Sequence, residues 1–411
     1  MKAAAAALLV LATACGDGRK AVTVAINAGV EGAALEVAAR EWGALRSIPV
    51  ETVVLPYANL FEKELLDLVS GTGAYDVIMI DDPWFPQLAA TGSLANLEAL
   101  LGRRGLGAPD SDFAPSCLRV CRHPYETGPY YALPYVGNSQ LFFYRADLFR
   151  KHGLEPPHTW QAVLEAARRI GAAEGMYGYV MRAASGNAVV TDFMPLMWAF
   201  GGEMLTPGGE PAVASPEVLE ALRFMLELGR YSPPGYAGFN ADELGVHLLH
   251  STAVMSIKWP AWIPAMDDPA RSKVVGRIEF GRMPSARKAG APALGAWLLA
   301  IPSASRNQEL ALEFLLWVTA PGPMKQAALR GNPPTRRSVF ADPELRRRFR
   351  GFPAQQISIE TARPRPRTPH WNELENAFGI YLSQANAGGV TAEEALRLAD
   401  REMRVILGRK Q

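Results

Sequence analysis

The sequence predicts an α/β fold built on a parallel sheet. Three observations carry that prediction. Runs rich in β-branched residues stand at 21–26, 50–55 and 77–80, and are apolar nearly throughout. Segments with helical spacing and few breakers, 31–46 and 59–70, separate them. Near-continuous apolar strands alternating with helices describe a sheet covered on both faces. The third observation is length: 411 residues correspond to two or three domains, or two large lobes, at ~150 residues each. A protein of this length buries ~75% of its unfolded surface and needs no disulfide scaffold. Gly (37) and Pro (32) occur without any repeat, so the protein is neither collagen-like nor disordered. Hydrophobic residues make up 49% and the net charge is +1, with no basic stripe. That balance excludes a nucleic-acid partner.

In sequence order, Met1-Lys2 precedes an apolar run from Ala3 to Leu11 and then Ala12-Thr13-Ala14-Cys15. A positive start, a short apolar stretch and small residues before the cut describe a secretory signal peptide over 1–14. The run falls short of the ~20 apolar residues needed to span a membrane. Its end resembles the lipobox of bacterial lipoproteins, which implies lipidation of Cys15 and tethering to a membrane surface, with plain secretion as the alternative. Cleavage removes one charge, Lys2, and leaves 41 basic and 41 acidic residues. Two cysteines remain, Cys117 and Cys121, and an oxidising compartment makes a local disulfide the expected state. His123 would complete only three of the four ligands of a zinc site, so no metal is expected.

The carboxyl ends of the first three strands lie at 27–31, 56–57 and 81–84. In open α/β sheets ligands bind in the crevice beyond those ends. Further along, Thr159 is placed to cap a helix with Trp160, Val163, Leu164 and Ala167 on one face. Ser215-Pro216 opens another, striped by Val218, Ala221, Leu222, Met225 and Leu226. Strand-like runs at 252–257, 277–280 and 296–301 suggest a second set of strands. A helix over 308–319 is expected to stop at Pro321-Gly322-Pro323. Thr391 and Glu394 form a capping box for a last helix burying Leu396, Ala399, Met403 and Ile406. Arg363-Pro364-Arg365-Pro366-Arg367 reads as a semi-extended linker.

No phosphate loop, nucleophile elbow, metal-binding HExxH helix or dinucleotide fingerprint occurs. His247 and His250 read as a helix surface. Asp81 and Asp82 are adjacent, so their side chains are expected to diverge, whereas the two carboxyls of a glycosidase face each other across a bond. No catalytic residue and no cofactor is predicted. The nine tryptophans are more informative. Trp42, Trp160, Trp198 and Trp317 fall in helical patterns, whereas Trp84, Trp259, Trp262, Trp297 and Trp371 follow strands or flank Pro and Gly. Flat aromatic faces beside a few placed polar groups suit a sugar. The plainer use of each indole is to plug a loop against the core.

Several segments, in order, resemble the extracellular solute-binding proteins of carbohydrate ABC importers, the group that includes maltose-binding protein. They are Tyr75 to Asp82, Gly92 to Leu97, Leu133-Pro134-Tyr135, Phe143 to Phe149, Lys151 to Leu154 and Pro157 to Trp160. Phe200-Gly201-Gly202, Leu294 to Trp297, Ala311 to Phe314 and Thr391 to Leu396 extend the likeness over nearly the whole mature protein. The resemblance implies two α/β lobes, each a mostly parallel sheet flanked by helices, joined by hinge crossover segments near 137–141, 294–297 and 334–336. On that basis 15–137 and 296–334 form the first lobe, and 138–295 and 335–411 the second. It implies a monomer that closes on a small-molecule carbohydrate and docks on a membrane permease. Glu31, Asp81, Asp82 and Trp84 from the first lobe are the expected ligand contacts, with Asn138 in the first crossing. From the second lobe they are Asn187, Lys258, Trp259 and Trp262. Gly295, Trp297 and Arg363 complete the set. Lys258 and Arg363 leave open an anionic polyol such as glycerol phosphate as ligand, and a secreted carbohydrate-active enzyme is the alternative class.

Overall fold

The structure, a computed structural model, describes residues 21–408. The expected signal peptide and the lipidation site Cys15 lie outside the described residues. Nine strands are present among the described residues: β1 (Val22–Asn27), β2 (Val50–Leu55), β3 (Val77–Asp81), β4 (Ala132–Val136), β5 (Leu141–Arg145), β6 (Tyr177–Tyr179), β7 (Ala253–Lys258), β8 (Ile278–Gly281) and β9 (Trp297–Ala300). They form two sheets, ordered β2-β1-β3-β9-β4 and β6-β7-β5-β8.

In the first sheet β2, β1 and β3 run parallel, as their helical connections require. β9 enters antiparallel between β3 and β4, with a bulge at Pro134/Val136. The second sheet corrects the expectation of a mostly parallel one. β5 pairs antiparallel with both β7 and β8, and only β6 and β7 are parallel. β5 reaches the second sheet from β4, across a short passage between the lobes and not through a covering helix.

Helices Val30–Arg46, Tyr57–Ser70 and Gln308–Val318 cover the first sheet, and Trp160–Glu174, Asn187–Phe200, Trp371–Asn386 and Ala392–Gly408 the second. Thr159 accepts a hydrogen bond from the Ala162 N–H (3.1 Å), and Thr391 from that of Glu394 (3.2 Å), so both threonines cap their helices, while the Glu394 carboxylate goes to Arg397 and leaves the expected capping box half made. The helix Gln308–Val318 stops ahead of Pro321, as expected. Pro321 opens a further helix, Pro321–Leu329, at the first-turn position where proline's missing N–H costs nothing.

One core holds the first sheet and a second pair of cores holds the other. The backbone leaves the first core after Val136, re-enters it between Ala293 and Leu294, and leaves it again after Ala362. The expected third crossing at 334–336 is therefore displaced. Val339, Phe340, Leu345, Phe352 and Ile359 all bury in the first core, so the backbone stays with that lobe until the Pro-rich segment. The three passages are hydrogen-bonded to one another. Gly295 donates to the Asn138 carbonyl (2.9 Å), Leu294 to that of Arg363 (2.8 Å) and Gln140 to that of Ala293 (3.2 Å).

Cys117 and Cys121 are free, buried thiols, which corrects the expected disulfide. They stand about one helical turn apart, and Cys121 Sγ donates to the Cys117 carbonyl (3.3 Å). Burial pushes the Cys117 thiol up to about 12, which leaves it unreactive at neutral pH.

Candidate functional site

Between the two lobes lies a cavity of about 400 Å³, walled by the carboxyl ends of the strands and by the passages. From the first lobe Asn27 ends β1, Glu31 stands in the first turn of Val30–Arg46, Tyr57 opens Tyr57–Ser70 and Asp81 ends β3. The Tyr57 hydroxyl donates to Asp81 (2.8 Å). Asn138, in the first passage, donates through Nδ2 to Glu31 (3.3 Å). Burial raises the Glu31 carboxyl above its ordinary pKa, with the Asn138 bond opposing the shift.

Facing these from the second lobe are Asn187, Asp242, Trp259 and Trp262. Asn187 opens the helix Asn187–Phe200 and donates through Nδ2 to Glu375 (2.9 Å). Burial raises the Glu375 carboxyl to about 7, with Arg365 opposing. The two indoles are seated on glycines. A Cβ at Gly245 would lie 2.4 Å from the Trp262 ring, and one at Gly295 would lie 2.7 Å from that of Trp259. Trp297, at the start of β9, completes the aromatic lining.

Eight of the twelve expected contacts meet in this cavity: Glu31, Asp81, Asn138, Asn187, Trp259, Trp262, Gly295 and Trp297. Four do not. Asp82 is fully buried and accepts from Arg365 (2.8 Å) and Arg367 (3.1 Å), so its carboxylate serves the interior. Asp81 and Asp82 do not diverge as their adjacency suggests, because Arg365 Nη2 bonds both, at 2.9 and 2.8 Å. Trp84 is buried behind the lining, edge-on to Trp297 (5.8 Å) and tilted against Tyr57 (4.4 Å). Lys258 is buried too. Its ammonium donates to the Ala241 carbonyl (2.7 Å) and lies 3.7 Å over the Trp262 ring. Arg363 lies over Trp198 (4.5 Å), pairs with Glu203 (2.9 Å) and lines a separate cavity of about 490 Å³. A larger groove of about 800 Å³ runs between β8 with the residues that follow it and Phe352–Thr361, and holds none of the expected contacts.

Seven lining residues lie outside the expected set, and four of them carry polar side chains: Asn27, Tyr57, Asp242 and Arg365. Asn27 and Tyr57 sit at strand ends, where the position itself was the available signal. Arg365 had none, since the segment around it reads as a linker. Trp371, grouped with the loop tryptophans by its neighbours, is instead core.

Two lobes, three hydrogen-bonded passages and a cavity between opposing walls define the class: a two-lobed protein that takes a small molecule into its cleft. The chain belongs to the bacterial extracellular solute-binding protein family, whose model matches residues 28–325. It is 28% identical over 391 residues to the mannitol-binding protein of Pseudomonas aeruginosa, spanning 86% of this chain and 85% of that one. A probable amino-acid ABC transporter periplasmic-binding protein of Sinorhizobium fredii is 29% identical over 340 residues, 80% of this chain and 76% of the other. Among solved structures, the solute-binding protein of Agrobacterium radiobacter K84 in complex with ribitol superposes with a TM-score of 0.85. That pair shares 26% identity over 94% of this chain and 98% of the other. A maltose-bound T. maritima protein gives a TM-score of 0.84 at 25% identity, over 94% of this chain and 99% of its own. No helix among the described residues is long and apolar enough to cross a membrane.

Proposed function

We propose that this protein is the substrate-binding subunit of an ABC importer, that it captures a sugar or polyol by closing its lobes, and that it delivers the ligand to the membrane permease. The observation that carries the reading is the composition of the cleft. The indoles of Trp259, Trp262 and Trp297 offer flat apolar faces, and the side chains of Asn27, Glu31, Asp81, Asn138 and Asn187 bring hydrogen-bonding groups to the walls. The C–H groups of a sugar ring or an extended polyol pack on such faces while the hydroxyls reach the polar groups. The relatives named for mannitol, ribitol and maltose support the same class.

The wall residues come from both lobes, so a ligand completes its contacts only when the lobes approach. Its differential affinity for the closed form then drives closure about the passages at 137–140, 293–295 and 363–370. An anionic ligand fits less well. Arg365 is the basic residue of the lining, and Asp81 and Asp82 already hold it. An α-carboxylate or a phosphate at this guanidinium meets the two carboxylates already beside it, although one relative is named for amino acids. Anchoring through a lipid on Cys15 belongs to the same proposal, and the mass of the purified N-terminal peptide tests it.

The test of the ligand class is a titration of tryptophan fluorescence, confirmed by calorimetry, with D-mannitol, ribitol, maltose, glycerol phosphate and the standard amino acids. Saturable binding of a sugar or polyol, with the ligand recovered unchanged, is the expected result. Binding of glycerol phosphate or an amino acid, with the neutral compounds silent, overturns it.

A further inference from the structure

Two amide oxygens of the cleft walls are buried without a partner in the protein. Asn138 spends its Nδ2 on Glu31 (3.3 Å), and its Oδ1 is buried without a partner. Asn27 Oδ1 is likewise buried and unpartnered, and both residues are at least nine-tenths buried and line the cavity. Asn187 spends its Nδ2 on Glu375 (2.9 Å), so the oxygen of its amide is the end left for the cleft. The Tyr57 hydroxyl, a donor that could answer these groups, is directed at Asp81 (2.8 Å). Buried acceptors without donors are costly, so a ligand that brings donors to these oxygens gains more than one that brings acceptors.

The charges point the same way. Glu31 and Asp81 from the first lobe and Asp242 from the second line the cavity, against Arg365 alone. That guanidinium is bonded to both Asp81 and Asp82. Lys258 does not compensate, because its ammonium is turned to the Ala241 carbonyl and the Trp262 ring. Glu31 and Asp242 stand on opposite lobes, so closure over a neutral ligand brings two carboxylates toward each other in a space emptied of water. A cation between them turns that repulsion into attraction. An ammonium group also has three donors and no acceptor, which suits walls that hold unpartnered oxygens.

We propose that the ligand is a sugar or polyol carrying a protonated amino group, held between Glu31 and Asp242 with its apolar face against the indoles. This inference rests on the carbohydrate reading and narrows it. The test is calorimetry with matched pairs that differ in one group: D-glucamine against D-sorbitol, and D-glucosamine against D-glucose and N-acetyl-D-glucosamine.

The amine is expected to bind about tenfold or more tightly than its uncharged counterparts. The double variant Glu31→Gln, Asp242→Asn is expected to bring the ratio to about one. The N-acetyl compound, which loses the charge and keeps the ring, reads the same effect in the unaltered protein, so the test does not depend on the variant folding. Neutral compounds that bind as tightly as the amines overturn this inference and leave the carbohydrate reading standing. If the amines, their neutral counterparts, mannitol, ribitol and maltose are all silent, both fail.

Discussion

Asp81 and Asp82 are neighbours in sequence with different work to do. Asp81 reaches the cavity, while Asp82 neutralises Arg365 and Arg367 in the interior. Asp82→Ala leaves two buried guanidiniums short of a partner. Chemical denaturation is expected to show a loss of about 3–5 kcal/mol. Asn187→Ala removes an acceptor of the cleft and one hydrogen bond to Glu375. It is expected to weaken ligand binding by about tenfold while stability falls by no more than about 1.5 kcal/mol. If Asn187→Ala instead lost more stability and kept its affinity, the assignment of that wall would be wrong.

The indoles depend on the elements behind them. Trp262 packs against Gly245 in the helix Ala241–Leu249, and the Lys258 ammonium lies on its ring. A methyl group at position 245 would meet ring atoms at 2.4 Å, well inside van der Waals contact, so the ring must tilt. Gly245→Ala is therefore expected to shift tryptophan emission and weaken binding by about tenfold. Its effect on stability is expected to stay within about 1–2 kcal/mol, because a helix interior favours Ala over Gly. Thr159→Ala is the contrasting case. The cap of Trp160–Glu174 is remote from the cleft, so the variant is expected to lose about 1 kcal/mol of stability and no affinity.

For the whole molecule, Glu375 links pH to stability. Burial raises its folded carboxyl to about 7 from an ordinary 4.5. The folded state therefore binds this proton more tightly than the unfolded state does. Its contribution is fully present below pH 4.5 and is lost as pH rises through about 7, a span of about 3 kcal/mol. Unfolding free energies measured from pH 4.5 to 8 are expected to decline less in Glu375→Gln than in the unaltered protein. Parallel curves would remove Glu375 from the account. Closure itself is expected to appear as a smaller radius of gyration in solution scattering once a binding ligand is added, and no change on saturation would count against lobe motion.

Much of this was legible in the sequence. Apolar runs separated by helical spacing marked β1, β2 and β3, and the strand-end rule directed attention to positions 27–31, 56–57 and 81–84, of which Asn27, Glu31, Tyr57 and Asp81 line the cavity while Asp82 and Trp84 lie behind it. Local patterns report local structure, because strand and helix periodicity depend on near neighbours in sequence. Trp259, Trp262 and Trp297 could be singled out for the same reason, from the strands and breakers beside them.

What only the tertiary structure decided are the pairings between distant segments. Arg365 stands 284 residues from Asp81, and nothing around it in the sequence distinguishes a linker from a strap carrying charge into the site. The direction of the second sheet, the late crossing after Ala362 and the burial of Lys258 have the same origin. Each depends on which apolar surface the backbone returns to cover, and that is settled by packing over the whole molecule.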